Sequence, residues 1–320
     1  MSVSLFERTI DAIRPVSEEA RASTRERQGQ LTKPPGSLGI IESIGIQLGA
    51  IAGQCPPPIP QHAVVGVFAG DHGVCAQSVT PWPQEVTVQM LVNMAHGGAA
   101  INALSRQVGA EVMITDVGVA SDYPAHRAIR ARNVARGTRD FTVLPAMTVD
   151  EARAAVEVGI EAADEAIAAG ADCLLTGEMG IGNTTPSSAL IAVFAGVSPA
   201  EVVGRGAGAD DEMLGRKVDA IERAFALHRP SSERPLEALA AVGGLEHAAL
   251  AGFILGAAAH GVPVILDGVI ACSAALVAVA LAPQAAGYLI SGHAGAEPGI
   301  RVAVAHLGLI PLVDLGLRLG

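Results

Sequence analysis

The sequence predicts an α/β protein: a parallel, Rossmann-like sheet flanked by helices, with a small helical domain at its amino end. Three observations predict it. Half of the 320 residues are apolar, only 3% are aromatic, and 37 are glycine, a composition that packs small side chains closely and turns tightly. Short apolar runs recur along the chain, and each ends in Gly, Asp or another small polar residue. Helical stretches separate these runs, and strand–helix–strand alternation implies parallel strands joined by right-handed crossovers.

Residues 1–60 read as helices without a convincing strand and close on Cys55-Pro56-Pro57-Pro58, which marks off the small helical domain. The large parallel domain then occupies 61–300. Its strands are Ala63–Ala69 before Gly70-Asp71, Val112–Thr115 before Asp116, and Asp172–Leu175 before Thr176-Gly177-Glu178. Two more are Pro263–Leu266 before Asp267-Gly268 and Gly287–Ile290 before Ser291-Gly292. Buried strands of a parallel sheet read as such continuous apolar runs. Asp150–Ala169, rich in Ala and Glu and stopped by Gly170, predicts a helix, as do Glu212–Leu227 and Gly244–Ala259. His126–Arg139 reads as a basic surface loop and strand with solvated arginines.

Charge and cysteine content exclude several functions. Asp and Glu number 32 against 21 Lys and Arg, a net charge of −11, which disfavours nucleic acid and anionic membranes. A nest of backbone N–H groups still holds a small anion on such a protein. Cys55, Cys75, Cys173 and Cys272 form no CxxC pair and, each in an apolar context, read as free buried thiols of a reducing, cytoplasmic compartment. The amino terminus mixes charges with apolar residues and is no signal peptide. The most apolar stretch, Ala238–Pro283, is broken by Glu246, His247, His260, Pro263 and Asp267, so it predicts buried helices and a strand rather than a membrane anchor.

Ligands of parallel sheets bind beyond the carboxyl ends of the strands, so the polar strand ends are the first candidates for a site. Thr176-Gly177-Glu178-Met179-Gly180-Ile181-Gly182-Asn183-Thr184-Thr185-Pro186 is the most informative of them. Its glycines allow close backbone approach, Thr184 or Thr185 can cap the following helix, and Pro186 suits its first turn. Free N–H groups at that helix start favour an anion. No Gly-Lys-Ser/Thr follows, so it is not a Walker loop. Glu178 can bind ribose hydroxyls, take a proton, or accept hydrogen bonds from its own loop. Asp71-His72 reads as a satisfied structural pair ahead of a metal site, since no further ligand cluster lies at helix spacing beside it. Ser291–Gly299 is another strand-to-helix turn, with Pro298 at the helix start; it lacks the Gly-x-Ser-x-Gly of a nucleophile elbow, which disfavours a hydrolase. Gly204–Gly208 is only a loose dinucleotide fingerprint, a thin basis for an oxidoreductase, and Lys217 after it reads by itself as a solvated lysine.

Taken together, Lys33–Gly39, Asp71–Val74, Pro83–Thr87, Gly177–Pro186, Leu266–Gly268, His293 with Ala296-Glu297, and Leu317–Gly320 resemble the nicotinate-nucleotide:dimethylbenzimidazole phosphoribosyltransferases of cobalamin assembly, in order along the chain. The resemblance implies transfer of a phosphoribosyl group from nicotinate mononucleotide to a benzimidazole-type base, with inversion at the anomeric carbon. It also implies a homodimer that uses no metal or organic cofactor. Residue by residue, it implies that Lys217 contacts phosphate and that Gly177, Gly180, Gly295 and Ala296 surround the phosphoribosyl group. Glu178 matches an active-site carboxylate, Asp267 and Asp71 match strand-end acids near it, and Trp82, Met90 and Leu319 match the base pocket. In the family a general-base Glu follows the terminal Arg-Leu-Gly, and this sequence stops at Gly320. The expectation is that residues 301–320 return toward the small domain without the family's closing helix, and that Glu178 remains as the catalytic carboxylate. The alternative expectation is an impaired homologue that only binds nucleotide or base.

Overall fold

The structure is a computed structural model that describes residues 3–318. Three helices precede the first strand: α1 (Leu5–Ala12), α2 (Glu18–Gln30) and α3 (Ile40–Ala52). Ser4 and Glu7 close a reciprocal capping box on α1, and the Ser17 hydroxyl accepts from the Ala20 amide to start α2. Helices α2 and α3 pair with each other, whereas α1 packs outward from them, with Phe6 and Ile13 in the main core.

The sheet is built from β1 (Ala63–Gly70), β2 (Glu111–Gly118), β3 (Ile129–Ala131), β4 (Cys173–Met179), β5 (Val264–Leu266) and β6 (Leu289–Ser291), all parallel, in the order β3-β2-β1-β4-β5-β6. Between β1 and β2 lie α4 (Glu85–Ala95) and α5 (Ala100–Val108); α6 (Val149–Ala168) leads into β4. After β4 come α7 (Thr184–Ala195), α8 (Pro199–Val202), α9 (Asp211–His228), α10 (Pro235–Val242) and α11 (Leu245–Ala259); α12 (Val269–Leu281) follows β5, and α13 (Pro298–His306) follows β6.

The chain runs outward from β1 to β3 and then crosses back to lay β4 on the other side of β1. Strand order reverses between β1 and β4, and in sheets of this kind ligands bind outside the carboxyl ends of the strands at such a switch point. One face of the sheet is closed by α11, which is buried on every side between α6 and strands β1, β2 and β4. Small residues permit that approach: Gly159 of α6 lies against the Ala249 carbonyl, and Gly252 of α11 against that of Val156. Phe253 meets Phe68 of β1 edge-on at 5.4 Å between ring centroids.

The cysteines depart from their expected burial, with Cys55 exposed and Cys75 only partly covered, and three expectations about the strands shift. β4 continues through Thr176, Gly177 and Glu178 to Met179, because β1 pairs with it as far as Ala69 opposite Met179. Likewise Asp116 lies inside β2, fully buried, with its carboxylate accepting from Val119 N, Tyr123 Oη and Asn133 Nδ2. The run at 287–290 contributes only its end to β6, since Pro283–Tyr288 forms a 3-10 turn.

Candidate active site

The site begins where β1 and β4 end. Gly180 must be glycine: a Cβ there would stand 2.5 Å from the Gly70 carbonyl oxygen and 3.1 Å from His72 Nε2. Gly182 takes φ +87°, and the chain then enters α7 at Thr184. Asn183 occupies the cap position without capping, so neither threonine caps as expected; the Asn183 side chain is turned back, and Nδ2 donates a short hydrogen bond to Glu178 Oε2. Glu178 is half-buried, and its other oxygen has no hydrogen-bond partner among the described residues. Burial, then the charges of Glu246 and Asp267, push its carboxyl up to about 8, against the opposing pull of Asn183 and His72.

A cation lies one residue further along the same loop. Lys217 is not a solvated lysine: α9 buries it to 2% exposure, and Nζ donates to Thr184 Oγ1 at 2.8 Å and to the Gly204 carbonyl at 3.0 Å. An ammonium carries three protons, so one remains for a ligand oxygen. Burial lowers its pKa to about 8, partly offset by the Glu297 carboxylate. The start of α7 is buried beside it; Thr185 N donates to the Gly182 carbonyl and Pro186 has no N–H, so the Thr184 amide is the one that adds positive potential there.

Glu297 also draws the remaining loops together. Its Oε1 accepts from the Gly206 amide at 2.8 Å, which brings the β6–α13 loop, with Gly295 and Ala296, against the Gly204–Gly208 loop. Trp82 joins them, its indole Nε1 donating to the Ala207 carbonyl at 2.8 Å, with half of its surface still exposed. At the end of β5, Asp267 is exposed and its Oδ1 lies 3.1 Å from His293 Nε2. The tail runs alongside: Leu312 N donates to the Ser291 carbonyl at 3.0 Å and Ala294 N to that of Val313 at 2.8 Å.

Beneath this surface is a cluster that the sequence did not reveal. His72 does not pair with Asp71. Its Nε2 lies 2.7 Å from Glu246 Oε1, and His247 Nδ1 lies 2.9 Å from the same oxygen, out of line for a straight hydrogen bond. All three side chains are buried. Their donor types would suit a metal ion, but the carboxylate oxygen itself sits between the two rings at ion-pair distance. Burial opposes ionisation of Glu246, yet the two imidazoles hold its carboxyl well below the usual range. Burial also opposes a charge on His72, and Glu246 outweighs it and raises the imidazole. The only sequence signal was two polar residues interrupting an apolar helix.

Thus Glu178, Gly180 and Lys217 come together around one loop, and Gly295, Ala296 and Trp82 reach it through Glu297 and Ala207. Gly177 lies inside β4 against Val67. Asp71 is 1% exposed and its Oδ2 accepts from Ala120 N at 2.8 Å, so it braces the turn after β1 from below the surface. Met90 packs with Met179 on the cluster of Val65, Val67 and Leu91, on the α4 side of the sheet. Leu319 lies outside the described residues.

Comparison with known proteins relates this chain to a family. The profile of a family described as Phosphoribosyltransferase matches residues 13–320. Nicotinate-nucleotide–dimethylbenzimidazole phosphoribosyltransferase of Salinispora tropica is 57% identical, over 99% of this chain and 91% of its own. Its namesake in Chloroflexus aggregans is 50% identical, over 99% of this chain and 90% of its own. A crystal structure of the Thermus thermophilus protein of that name superposes with a TM-score of 0.90 at 44% identity, covering 95% of this chain and 90% of that one.

Proposed function

Because the chain belongs to the phosphoribosyltransferase family, we propose that its strand-end cleft moves the phosphoribosyl group of nicotinate mononucleotide onto 5,6-dimethylbenzimidazole. The products are nicotinate and α-ribazole 5′-phosphate. The chain is an enzyme of the pentosyltransferase type, serving assembly of the cobalamin lower ligand.

One observation supports the assignment of roles above the others: an uncommitted ammonium proton on Lys217 and a proton-avid carboxyl on Glu178 flank adjacent residues, Thr184 and Asn183. Lys217 and the start of α7 take the 5′-phosphate, and Gly295 and Ala296 close over it. Asp267, at the end of β5, faces the ribose hydroxyls. Trp82 offers a flat wall for the benzimidazole, with Met90 deeper on the α4 side.

One benzimidazole nitrogen attacks the anomeric carbon from the face opposite nicotinate. The bond to the pyridinium nitrogen breaks and its electron pair returns to nicotinate, so the leaving group needs no proton. The attacking base becomes cationic and loses the proton on its other nitrogen. We assign that proton to the Glu178 carboxylate, whose raised pKa makes it a strong base once ionised.

Two coarser expectations extend the proposal. No helix among the described residues is long and apolar enough to cross a membrane, and the four cysteines are unpaired, in keeping with a cytoplasmic enzyme. We also propose a homodimer. Leu38 and Ile41 before and on α3, and Leu104 and Val108 on α5, stand exposed, and Val108 lines an apolar cavity of about 300 Å³ with Ile44 and Leu48 of α3. Sedimentation at micromolar concentration tests it: a monomer at all concentrations contradicts it.

The reaction is tested by incubating the chain with nicotinate mononucleotide and 5,6-dimethylbenzimidazole and following both products by chromatography. Equimolar nicotinate and α-riboside are expected; nicotinate release no faster than without protein contradicts the assignment.

A further inference from the structure

Resting on the reading of Glu178 as proton acceptor, we propose that Glu246 is a positioning residue of this site: clasped between His72 and His247, it fixes the orientation of the Glu178 carboxyl through Ser187 and Asn183 and governs how firmly that carboxyl holds its proton.

Hydrogen bonds and the backbone of Asn183 link the two carboxyls. Glu246 Oε1 lies 2.7 Å from His72 Nε2 and 2.9 Å from His247 Nδ1. His247 Nε2 lies 2.8 Å from Ser187 Oγ, and that hydroxyl donates to the backbone carbonyl of Asn183 at 2.8 Å, beside the Ser187 amide that bonds the same oxygen. Asn183 Nδ2 completes the path at Glu178 Oε2. Every member before Glu178 is buried, and the path joins the end of β1, the first turn of α11 and the first turn of α7. The backbone of Asn183 is thereby anchored at the start of α7 while its side-chain amide donates to one Glu178 oxygen.

A merely structural role explains this poorly. Taking a carboxylate wholly out of water costs several kcal/mol unless it is well paired, and apolar residues of like volume commonly serve a core as well. Apart from Glu246 and His247, α11 is built of apolar residues and glycine. Moreover, Glu246 Oε2 and His72 Nδ1 find no hydrogen-bond partners among the described residues, so the cluster does not satisfy itself.

The electrostatic consequence follows from which carboxyl holds its charge. The charged groups around Glu178 are Glu246 from α11, Asp267 beyond β5 and His72 beyond β1. Two carboxyls in one poorly solvated region do not ionise together readily. Glu246 has two imidazoles and keeps its charge, so the proton resides on Glu178 until a base-bound complex or higher pH removes it.

The test compares wild type, Glu246→Gln and Ser187→Ala by ¹³C NMR of labelled glutamate carboxyls, with Glu178→Gln assigning the resonance, alongside the pH profile of kcat/KM. In Glu246→Gln the Glu178 midpoint is expected to fall by about one unit, and the alkaline rise of kcat/KM to move down with it. Ser187→Ala cuts the path without altering charge; it is expected to lower kcat about tenfold with little change in KM, and it decides the question alone if Glu246→Gln does not fold. A Glu178 midpoint unmoved in Glu246→Gln, or a wild-type kcat in Ser187→Ala, overturns the proposal. A midpoint that moves while the rate profile stays put supports the role of Glu246 and overturns the reading of Glu178 as acceptor.

Discussion

Lys217 reaches Thr184 across 33 residues of chain, Nζ to Oγ1 at 2.8 Å, and that bond fastens α9 to the start of α7. It sets a buried ammonium beside a helix terminus, where we propose that the phosphate binds. Lys217→Met keeps the length of the side chain and removes the charge. A hydrogen bond from a charged donor contributes about 1.5–3 kcal/mol, so the KM for nicotinate mononucleotide should rise roughly tenfold to a hundredfold, with a smaller effect on kcat. Initial rates at varied nucleotide concentration check this; an unchanged KM removes Lys217 from the phosphate site.

Glu178→Gln keeps the hydrogen bond from Asn183 possible and abolishes proton transfer. The account predicts a fall in kcat of about 10²–10⁴, with nucleotide binding largely retained. In the wild type kcat/KM should rise as pH approaches about 8 and the carboxyl ionises, then fall above it as Lys217 loses its proton; the variant should lose the rising limb and keep the falling one. Stopped assays across pH 6–10 decide it.

The same carboxyl leaves a signature in stability. Its folded pKa is raised to about 8 from 4.5, so the folded state binds the extra proton. That contribution is complete below pH 4.5 and is lost as pH climbs through 8. Glu178→Gln has no charge to bury, and its melting temperature should exceed that of wild type by about 1–3 °C at pH 8.5, while the two converge near pH 5. Thermal melts at both pH values test the sign.

Gly180→Ala forces a methyl group against the Gly70 carbonyl and His72 Nε2, where the ends of β1 and β4 meet. Overpacking of this kind costs about 1–3 kcal/mol, and here the strain falls on the loop that carries Asn183 and Glu178. Denaturant unfolding should report the loss, and activity measured well below the melting temperature should fall with it.

How far the sequence disclosed this arrangement depends on the kind of signal. The parallel sheet was legible, because buried strands such as Val64–Ala69 are unbroken apolar runs closed by Gly-Asp, and α6 was legible from an Ala- and Glu-rich run stopped by Gly170. The loop from Gly180 to Pro186 was legible as a tight strand-to-helix turn, because glycine and proline requirements are local. Lys217 was legible only through resemblance, since its burial depends on Gly204 and Thr184, both distant in sequence. His72, Glu246 and His247 were illegible: 174 residues separate His72 from its partner, and local pattern reads such residues as a turn and as interruptions of a helix. The cap of α7 was misread because Asn183 turns its side chain to Glu178.

The claim on which the rest depends is that the sugar phosphate binds at the switch point of the sheet, phosphate on Lys217 and ribose toward Glu178. A crystal structure with nicotinate mononucleotide bound tests it most directly. The account predicts a phosphate oxygen within hydrogen-bonding distance of Lys217 Nζ and the Thr184 amide that opens α7, with the anomeric carbon beside the Glu178 carboxyl. Nucleotide bound at another place, with this cleft filled by water alone, would contradict it.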